Sequence, residues 1–227
     1  MTRAGHVVHF REPVPYEEAW ELQRATAAAV AAGSAPDTVL LLEHPPTITL
    51  GRRTEDGELH VPEGAEVEIV ETDRGGKSTY HGPGQLVCYP IFDLTRHGQD
   101  VKRYCRDLEE ALVRTLAPLG LDATRIEGLT GIWLEGPPRK IASIGIHISK
   151  WVTTHGYALN VDLDPAPFTQ WITACGLEDA AFTTIARELG RPVSVDEVRP
   201  HAVAALEEVF SLALAPVSPD LRQPARA

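Results

Sequence analysis

The sequence predicts one α+β domain in which helices cover a mixed, mostly antiparallel sheet. Long segments with the helical spacing of apolar residues are interspersed with short apolar runs typical of strands, and that combination indicates the class. No internal repeat and no convincing linker divides the 227 residues. We therefore expect a single domain over residues 1–214, followed by a short tail.

Four segments are predicted to be helices, over residues 16–32, 100–119, 183–189 and 194–214. Pro15 stands near the start of the first helix, and Gly33 follows its Ala-rich interior as a stop. Asp100 is a suitable N-cap for the second helix, which Gly120 ends. The fourth helix begins with a capping-box pattern at Ser194.

Eight apolar segments are predicted to be strands, over residues 6–10, 38–43, 47–50, 67–70, 86–91, 132–135, 139–149 and 155–162. Within 139–149 one face is apolar and the other polar, with a period of two. Residues 51–66 are polar and are predicted to form a loop. The tail contains three prolines and little to bury, so residues 215–227 are predicted to be disordered.

The composition excludes several kinds of partner. Acidic residues outnumber basic ones by 32 to 21, for a net charge of −11, whereas a nucleic-acid backbone needs a basic surface. No run of 18 apolar residues exists, so no membrane association is expected. The beginning of the sequence lacks the apolar core of a signal peptide, and the three widely spaced cysteines suit a reducing compartment. These features predict a cytoplasmic protein.

The most informative stretch is the loop of residues 74–85, which has four glycines and one proline in twelve positions. Glycine adopts positive φ without a steric penalty and lets the backbone approach a ligand, so this loop predicts a small-molecule site. Gly76-Lys77-Ser78 matches the end of a phosphate-binding P-loop, but Glu71 stands where that pattern needs a glycine. The segment also runs into a strand rather than a helix, so we reject a P-loop.

Cys175 is the best candidate for a nucleophile, because Gly176 after it would let main-chain N–H groups face an oxyanion near the sulfur. Cys88 and Cys105 lie in a predicted strand and a predicted helix, so we expect them to be structural. A thiol needs a neighbouring cation to become a thiolate near neutral pH. Lys140, at the start of an apolar strand, is one candidate for that partner, and the alternatives are His81, His147 and His155. No spacing of His, Cys and carboxylates resembles a metal site.

Three motifs resemble those of the lipoyl(octanoyl) transferases, the cofactor-free branch of the biotin/lipoate protein ligase superfamily. They are RGGxxTxHGPGQ at 74–85, KIASIG at 140–145 and HGYALNV at 155–161. Cys175 falls where this family keeps its nucleophile, and the correspondence covers roughly residues 36–212 in the same order. One departure is Ala174, where many members have proline, so the loop before the cysteine is less restricted here.

The resemblance implies a ligase-like fold, no cofactor and an acyl transfer in two halves. Cys175 would attack the thioester of octanoyl-acyl carrier protein and hold the octanoyl group as a thioester, while Lys140 takes the thiol proton. The lysine amine of a lipoyl domain would then receive the acyl group as an amide. The implied acceptors are the lipoyl domains of 2-oxoacid dehydrogenase complexes and the glycine cleavage H protein, and the enzyme is expected to be a monomer.

The resemblance also implies which segments line the acyl pocket, where glycine and small residues would leave room for an eight-carbon chain. The implied substrate-binding residues are Arg74, Gly75, Gly76, Lys77, Ser78, Thr79, Tyr80, His81, Ser143, Ile144, Gly145, Gly156, Tyr157 and Ala158. His81 is expected to order the site rather than to act as the primary base.

Three other functions remain as alternatives. An ATP-dependent lipoate or biotin ligase would share the fold, but its glycine loops are absent from this sequence and it needs no cysteine. An octanoyl transferase that moves the acyl group between carrier domains by amidotransfer keeps its cysteine elsewhere. A non-catalytic acyl- or nucleotide-binding module would suit the glycine loop and leave the coincidence of Lys140 and Cys175 unexplained.

Overall fold

The computed structural model describes residues 2–173 and 181–218, and it confirms the α+β class. Twelve strands lie in these residues: β1 (Arg3–His9), β2 (Thr38–Leu42), β3 (Thr47–Leu50), β4 (Glu68–Glu71), β5 (Thr79–His81), β6 (Gln85–Ile91), β7 (Ala123–Ile126), β8 (Leu129–Leu134), β9 (Arg139–Ser149), β10 (Val152–Asn160), β11 (Ala181–Phe182) and β12 (Leu212–Val217). The α-helices in the same residues are α1 (Tyr16–Ala31), α2 (Val101–Leu116), α3 (Pro167–Gln170), α4 (Ile185–Leu189) and α5 (Val195–Phe210). Among the described residues, none of these helices has the length and apolar character needed to span a membrane.

Nine of the strands form one mixed sheet, in the order β12-β1-β2-β6-β10-β9-β8-β7, with β11 beside β9. The central strands β6, β10 and β9 pair antiparallel, whereas β1 pairs parallel with both β2 and β12. The strands β2, β6 and β10 are buried along their whole length, so the centre of the sheet is also the centre of the core. The other three strands form a small sheet in the order β4-β3-β5.

Helices bury the two faces of the large sheet in separate apolar clusters. Alternate residues of β2 divide between them, because side chains on a strand point to opposite faces. Val39 and Leu41 join the cluster beneath α2 and α5, while Leu40 and Leu42 join the cluster beneath α1. A third cluster, between the small sheet and α3, contains Ile48, Tyr80, Phe168 and Phe182.

The fourth predicted helix, 194–214, is shorter in the structure. The helix α5 ends at Phe210 because Ser211 adopts a left-handed φ of 53°, and β12 then pairs with β1. Leu212 and Leu214 are buried while Ala213 between them is exposed, which is the period of a strand rather than a helix. The predicted disorder is therefore wrong for residues 215–217, which belong to β12. Residues 219–227 lie outside the described part.

The close approach of β10 to β6 depends on Gly156. A Cβ at this position would collide with the backbone oxygen of Cys88 and would lie 2.6 Å from Cδ of Pro90, both in β6. The preceding residue, His155, has a φ of 57°, a left-handed conformation that is uncommon for a residue with a side chain. The chain therefore needs glycine at position 156 because of the neighbouring strand.

We expect Gly156→Ala to lower the free energy of unfolding by about 1–3 kcal/mol, because β6 must shift to admit the new methyl group. Urea unfolding would measure the loss. The matched control is Gly75→Ala, since a Cβ there meets only the backbone oxygen of Ile146, at 3.4 Å. Equal free energies of unfolding for Gly156→Ala and the parent protein would show that β6 can shift to admit the methyl group without loss of stability.

Candidate active site

A cavity of about 380 Å³ opens where β9 loses a partner strand. The strand β8 pairs with β9 only as far as Ala142, so residues 143–149 have β10 on one side and no strand on the other within the described chain. Residues 74–78 border that open edge, and Gly75 donates its N–H to the backbone oxygen of Ile146 at 2.9 Å. The cavity is thus a gap in the sheet, bordered by residues 74–78, which we call the glycine loop.

The structure brings nearly all of the predicted site residues to this cavity. Lys140 lines it, together with every implied substrate-binding residue except Tyr80. Thr79 and His81 point into the cavity from β5, so Tyr80 between them points away, and its ring packs edge-on against Phe168. The prediction is therefore wrong for Tyr80 as a lining residue.

The three cysteines have different positions. The predicted nucleophile, Cys175, lies outside the described residues. Cys88 is fully buried in β6, and that burial raises the pKa of its thiol to about 12. Cys105, on α2, is only partly buried and lines the cavity, although no sequence motif predicted it there. Burial, followed by the charge of Glu109, also raises the pKa of Cys105, which keeps it a thiol near neutral pH.

Arg74 fixes the shape of the glycine loop from inside. Its guanidinium donates to the backbone oxygen and to Oγ1 of Thr49, at 2.7 and 2.8 Å, and to the backbone oxygen of Lys77 at 2.8 Å. Gly51 allows this approach, because a Cβ there would lie 2.7 Å from Nη1 of Arg74. Arg74 is only 6% exposed, so it acts as a tie between β3 and the loop.

His81 is held by hydrogen bonds at both ring nitrogens. Its Nδ1 lies 2.8 Å from Oε1 of Gln85, whose amide nitrogen donates to Oδ1 of Asn160 at 3.0 Å. Nδ1 must therefore donate, which leaves Nε2 as the acceptor facing Oγ1 of Thr49 at 3.4 Å. Burial lowers the pKa of His81 well below its ordinary value, and the neighbouring His44 lowers it further. A neutral imidazole with a hydrogen-bond partner at each ring nitrogen orders its surroundings, which supports the role expected for His81.

A second series of hydrogen bonds connects the cavity to the start of the glycine loop. Nε2 of His155 donates to Oδ1 of Asp73 at 2.7 Å, so Nδ1 accepts from the hydroxyl of Tyr16, at 3.3 Å. The backbone N–H of His155 donates to Oε1 of Gln23 at 2.6 Å. The His155 bond lowers the pKa of Asp73, and burial lowers that of His155 in spite of the carboxylate. Since Asp73 directly precedes Arg74, this series of hydrogen bonds connects α1 and β10 to the loop.

Sequence reasoning missed several residues that form or support the cavity. Tyr16, Arg53, Tyr89 and Trp133 line it, and none of them belongs to a motif used to predict the site. His44 supports Tyr89 from behind: its Nδ1 donates to the backbone oxygen of Val14 at 2.6 Å, and its Nε2 accepts from the Tyr89 hydroxyl at 2.7 Å. The only sequence signal at His44 was the proline pair after it, which marks the end of a strand.

Lys140 lies deep in the cavity wall and is only 2% exposed. Its Nζ stands 5.4 Å from the centre of the Trp133 ring, within the range of a cation–π contact. Gly131 makes room for the side chain, since a Cβ there would lie 2.8 Å from Cε of Lys140. The backbone oxygen of Lys140 accepts from the N–H of Thr183, and Phe182 of β11 pairs with Lys140 in register.

The family model of the lipoyl protein ligase A/B catalytic domain matches residues 15–207. This chain belongs to that family. The octanoyltransferase of Chloroflexus aurantiacus is 48% identical over 212 residues, which cover 90% of this chain and 94% of that protein. The octanoyltransferase of Mycobacterium tuberculosis is 54% identical over 194 residues, covering 85% of this chain and 82% of that protein. The resemblance drawn from the three motifs is confirmed, and the chain is an acyltransferase enzyme.

Solved structures of the same family confirm the fold. The chain superimposes on lipoate-protein ligase A bound with ATP with a TM-score of 0.78 at 18% identity, covering 96% of this chain and 90% of that one. A bipartite lipoate protein ligase from Thermoplasma acidophilum gives a TM-score of 0.75 at 16% identity, covering 96% of this chain and 88% of that one. At these identities the likeness concerns the arrangement of strands and helices, and the ligase-like α+β class is correct.

Burial of His44 makes stability depend on pH. Burial lowers its pKa from 6.5 to about 4, so below pH 6.5 the unfolded chain binds a proton that the folded chain does not. This contribution to stability is complete above pH 6.5 and is lost as the pH falls towards 4. The free energy of unfolding, measured with urea between pH 7 and 4, should therefore fall by up to about 1.4 kcal/mol per pH unit because of this one group.

His44→Gln should remove that part of the slope, because glutamine does not titrate. Parent and variant should show equal slopes between pH 7 and 8, where neither state of His44 takes up a proton, and that range is the control. Equal slopes in the acidic range as well would show that His44 does not bind the proton on unfolding.

Proposed function

We propose that this enzyme transfers an octanoyl group from octanoyl-acyl carrier protein to a lysine of a lipoyl domain, through a thioester on Cys175. The observation that carries the proposal is the cavity, in which the glycine loop and the buried Lys140 meet in a chain about half identical to octanoyltransferases. We place the reaction in the cytoplasm and assign it to a monomer, without a cofactor.

The cavity suits an apolar acyl chain. Its volume of about 380 Å³ lies within the range of small-molecule sites. Apolar side chains from β6, β8 and β9 line it, among them Val87, Leu129, Ile144 and Ile146. Each methylene that leaves water on binding contributes about 0.8 kcal/mol at most, so a cavity of this kind favours a full-length acyl group over a short one.

Two described segments flank the stretch that contains Cys175, and the second of them lies beside Lys140. The N–H of Thr173 donates to the backbone oxygen of Glu58 at 2.9 Å, and the chain is described again from Ala181. The next residue, Phe182, pairs with Lys140. The described residues that follow Cys175 in the sequence therefore begin beside Lys140, the proposed partner of its thiol.

The proposed reaction has two balanced halves. The Cys175 thiol gives its proton to Lys140, its sulfur bonds to the acyl carbon, the donor C–S bond breaks and Lys140 passes that proton to the leaving carrier thiolate. The lysine amine of the lipoyl domain then bonds to the acyl carbon, the C–S bond to Cys175 breaks, and Lys140 takes up the amine proton and returns it to the Cys175 thiolate. Because thiol and amine exchange a proton, they titrate as a pair.

Intact-mass measurement after mixing with octanoyl-acyl carrier protein, without ATP, tests the covalent step. The parent enzyme should gain one octanoyl group and lose it when a lipoyl domain is added, whereas Cys175→Ser should gain none within the same time. Cys105→Ser is the informative comparison, because Cys105 also lines the cavity. An adduct that survives in Cys175→Ser and disappears in Cys105→Ser would overturn the assignment. Acylation that requires ATP and free acid would identify a ligase.

Lys140→Ala should slow acylation of Cys175 by about 10²-fold or more, because the proton acceptor is lost. Lys140→Arg should restore little, since a guanidinium keeps its proton and cannot accept another. Single-turnover acylation, followed by intact mass over time, measures both variants against the parent. Equal rates for all three proteins would remove Lys140 from the mechanism.

A further inference from the structure

Among the described residues, the side chains that line the cavity carry only positive formal charge, although the chain is strongly acidic. Of its 227 residues 32 are acidic and 21 are basic, yet the described side chains that line the cavity include no aspartate or glutamate. The charged residues among them are Arg53, Arg74, Lys77 and Lys140. A local excess of this kind attracts an anion even when the whole chain repels one, because charges separated by more than the screening length contribute little.

Two of these cations have roles within the structure. Arg74 donates to Thr49 and to the oxygen of Lys77, which holds the glycine loop. Lys77 forms an ion pair with Glu58 and lies 3.3 Å from Oε2 of Glu55. These partners satisfy Lys77 within the protein, and Lys140 is the proposed partner of the nucleophile.

Arg53 differs from the other three. Its side chain is exposed, and among the described residues it has neither an ion pair nor a hydrogen bond. Its backbone is nevertheless fixed, because the N–H of Arg53 donates to the oxygen of Gly76 at 3.0 Å and that of Arg52 donates to the oxygen of Arg74 at 3.1 Å. The turn that carries Arg53 is therefore fastened to the glycine loop, and its guanidinium stands at the mouth of the cavity.

We infer that Arg53 binds the phosphate of a phosphorylated thioester donor, such as the phosphopantetheine arm of an acyl carrier protein. The inference rests on the proposed function, in which the acyl group occupies the cavity and the rest of the donor extends outwards through the mouth of the cavity. Guanidinium is suited to this ligand, because its planar set of donors can hold two phosphate oxygens at once. The arm would then be fixed at both ends, by the acyl chain inside and by the phosphate outside.

Two donors that differ only in the phosphate test this inference: octanoyl-4′-phosphopantetheine and octanoyl-pantetheine. The readout is kcat/KM for acylation of Cys175, followed by intact mass. In the parent enzyme, removal of the phosphate should lower kcat/KM by about tenfold, the value expected for one charged hydrogen-bond partner. Arg53→Gln should lower kcat/KM by a similar factor for the phosphorylated donor, and by less than about twofold for octanoyl-pantetheine.

Arg52→Gln is the matched control, because it removes the same charge from an exposed neighbour that does not line the cavity. It should leave the preference for the phosphorylated donor unchanged. Equal kcat/KM for the two donors in the parent, or an equal loss with both donors in Arg53→Gln, would overturn the inference and leave the proposed function standing. Failure of both donors and of octanoyl-acyl carrier protein to acylate the parent would overturn the proposed function, and the inference with it.

Discussion

The attachment of the glycine loop to the open edge of β9 is the constraint on which the rest of the site depends. The loop has no regular structure from 74 to 78, so its own backbone cannot hold it in place. The bond from Gly75 to Ile146 fastens it to the sheet, and Arg74 fastens it to Thr49 in β3. Since Gly51 carries the turn that positions Arg53, the mouth of the cavity is set by the same attachment.

Buried histidines maintain this arrangement, and the cost of an unpartnered polar group explains why both of their ring nitrogens have partners. A polar group removed from water without a partner costs about 1–3 kcal/mol. The imidazoles of His44, His81 and His155 each have both ring nitrogens within hydrogen-bond reach of a partner. Burial lowers the pKa of all three, so near neutral pH they act as fixed, uncharged donors and acceptors. A neutral, ordered wall leaves the positive charge of the cavity to lysine and arginine.

Local motifs predicted much of the site, because residues close in sequence share a loop or a strand. The resemblance of the three motifs placed Ser143, Gly145 and Gly156 at the acyl pocket, and all three line the cavity. The same reasoning failed at Tyr80, where the segment read as a loop forms β5 and the strand period turns the ring away. Tyr16 could not be found in this way, because α1 reaches the cavity only through packing across the sheet. The strand β12 was missed because residues 212–214 were predicted to end the fourth helix and the proline-containing residues after them to form a tail.

The strongly acidic chain would repel the phosphorylated donor proposed above unless local groups set the field at the cavity mouth. At physiological ionic strength the screening length is about 8 Å, so the net charge of −11 acts weakly at the cavity mouth. What a donor encounters there is the field of nearby groups, and Glu55 and Glu58 are already paired with Lys77. Together Lys77, Glu55 and Glu58 carry a net charge of −1, so this group does not attract an anion. The positive charge of Arg53 at the mouth opposes that negative charge where the donor enters.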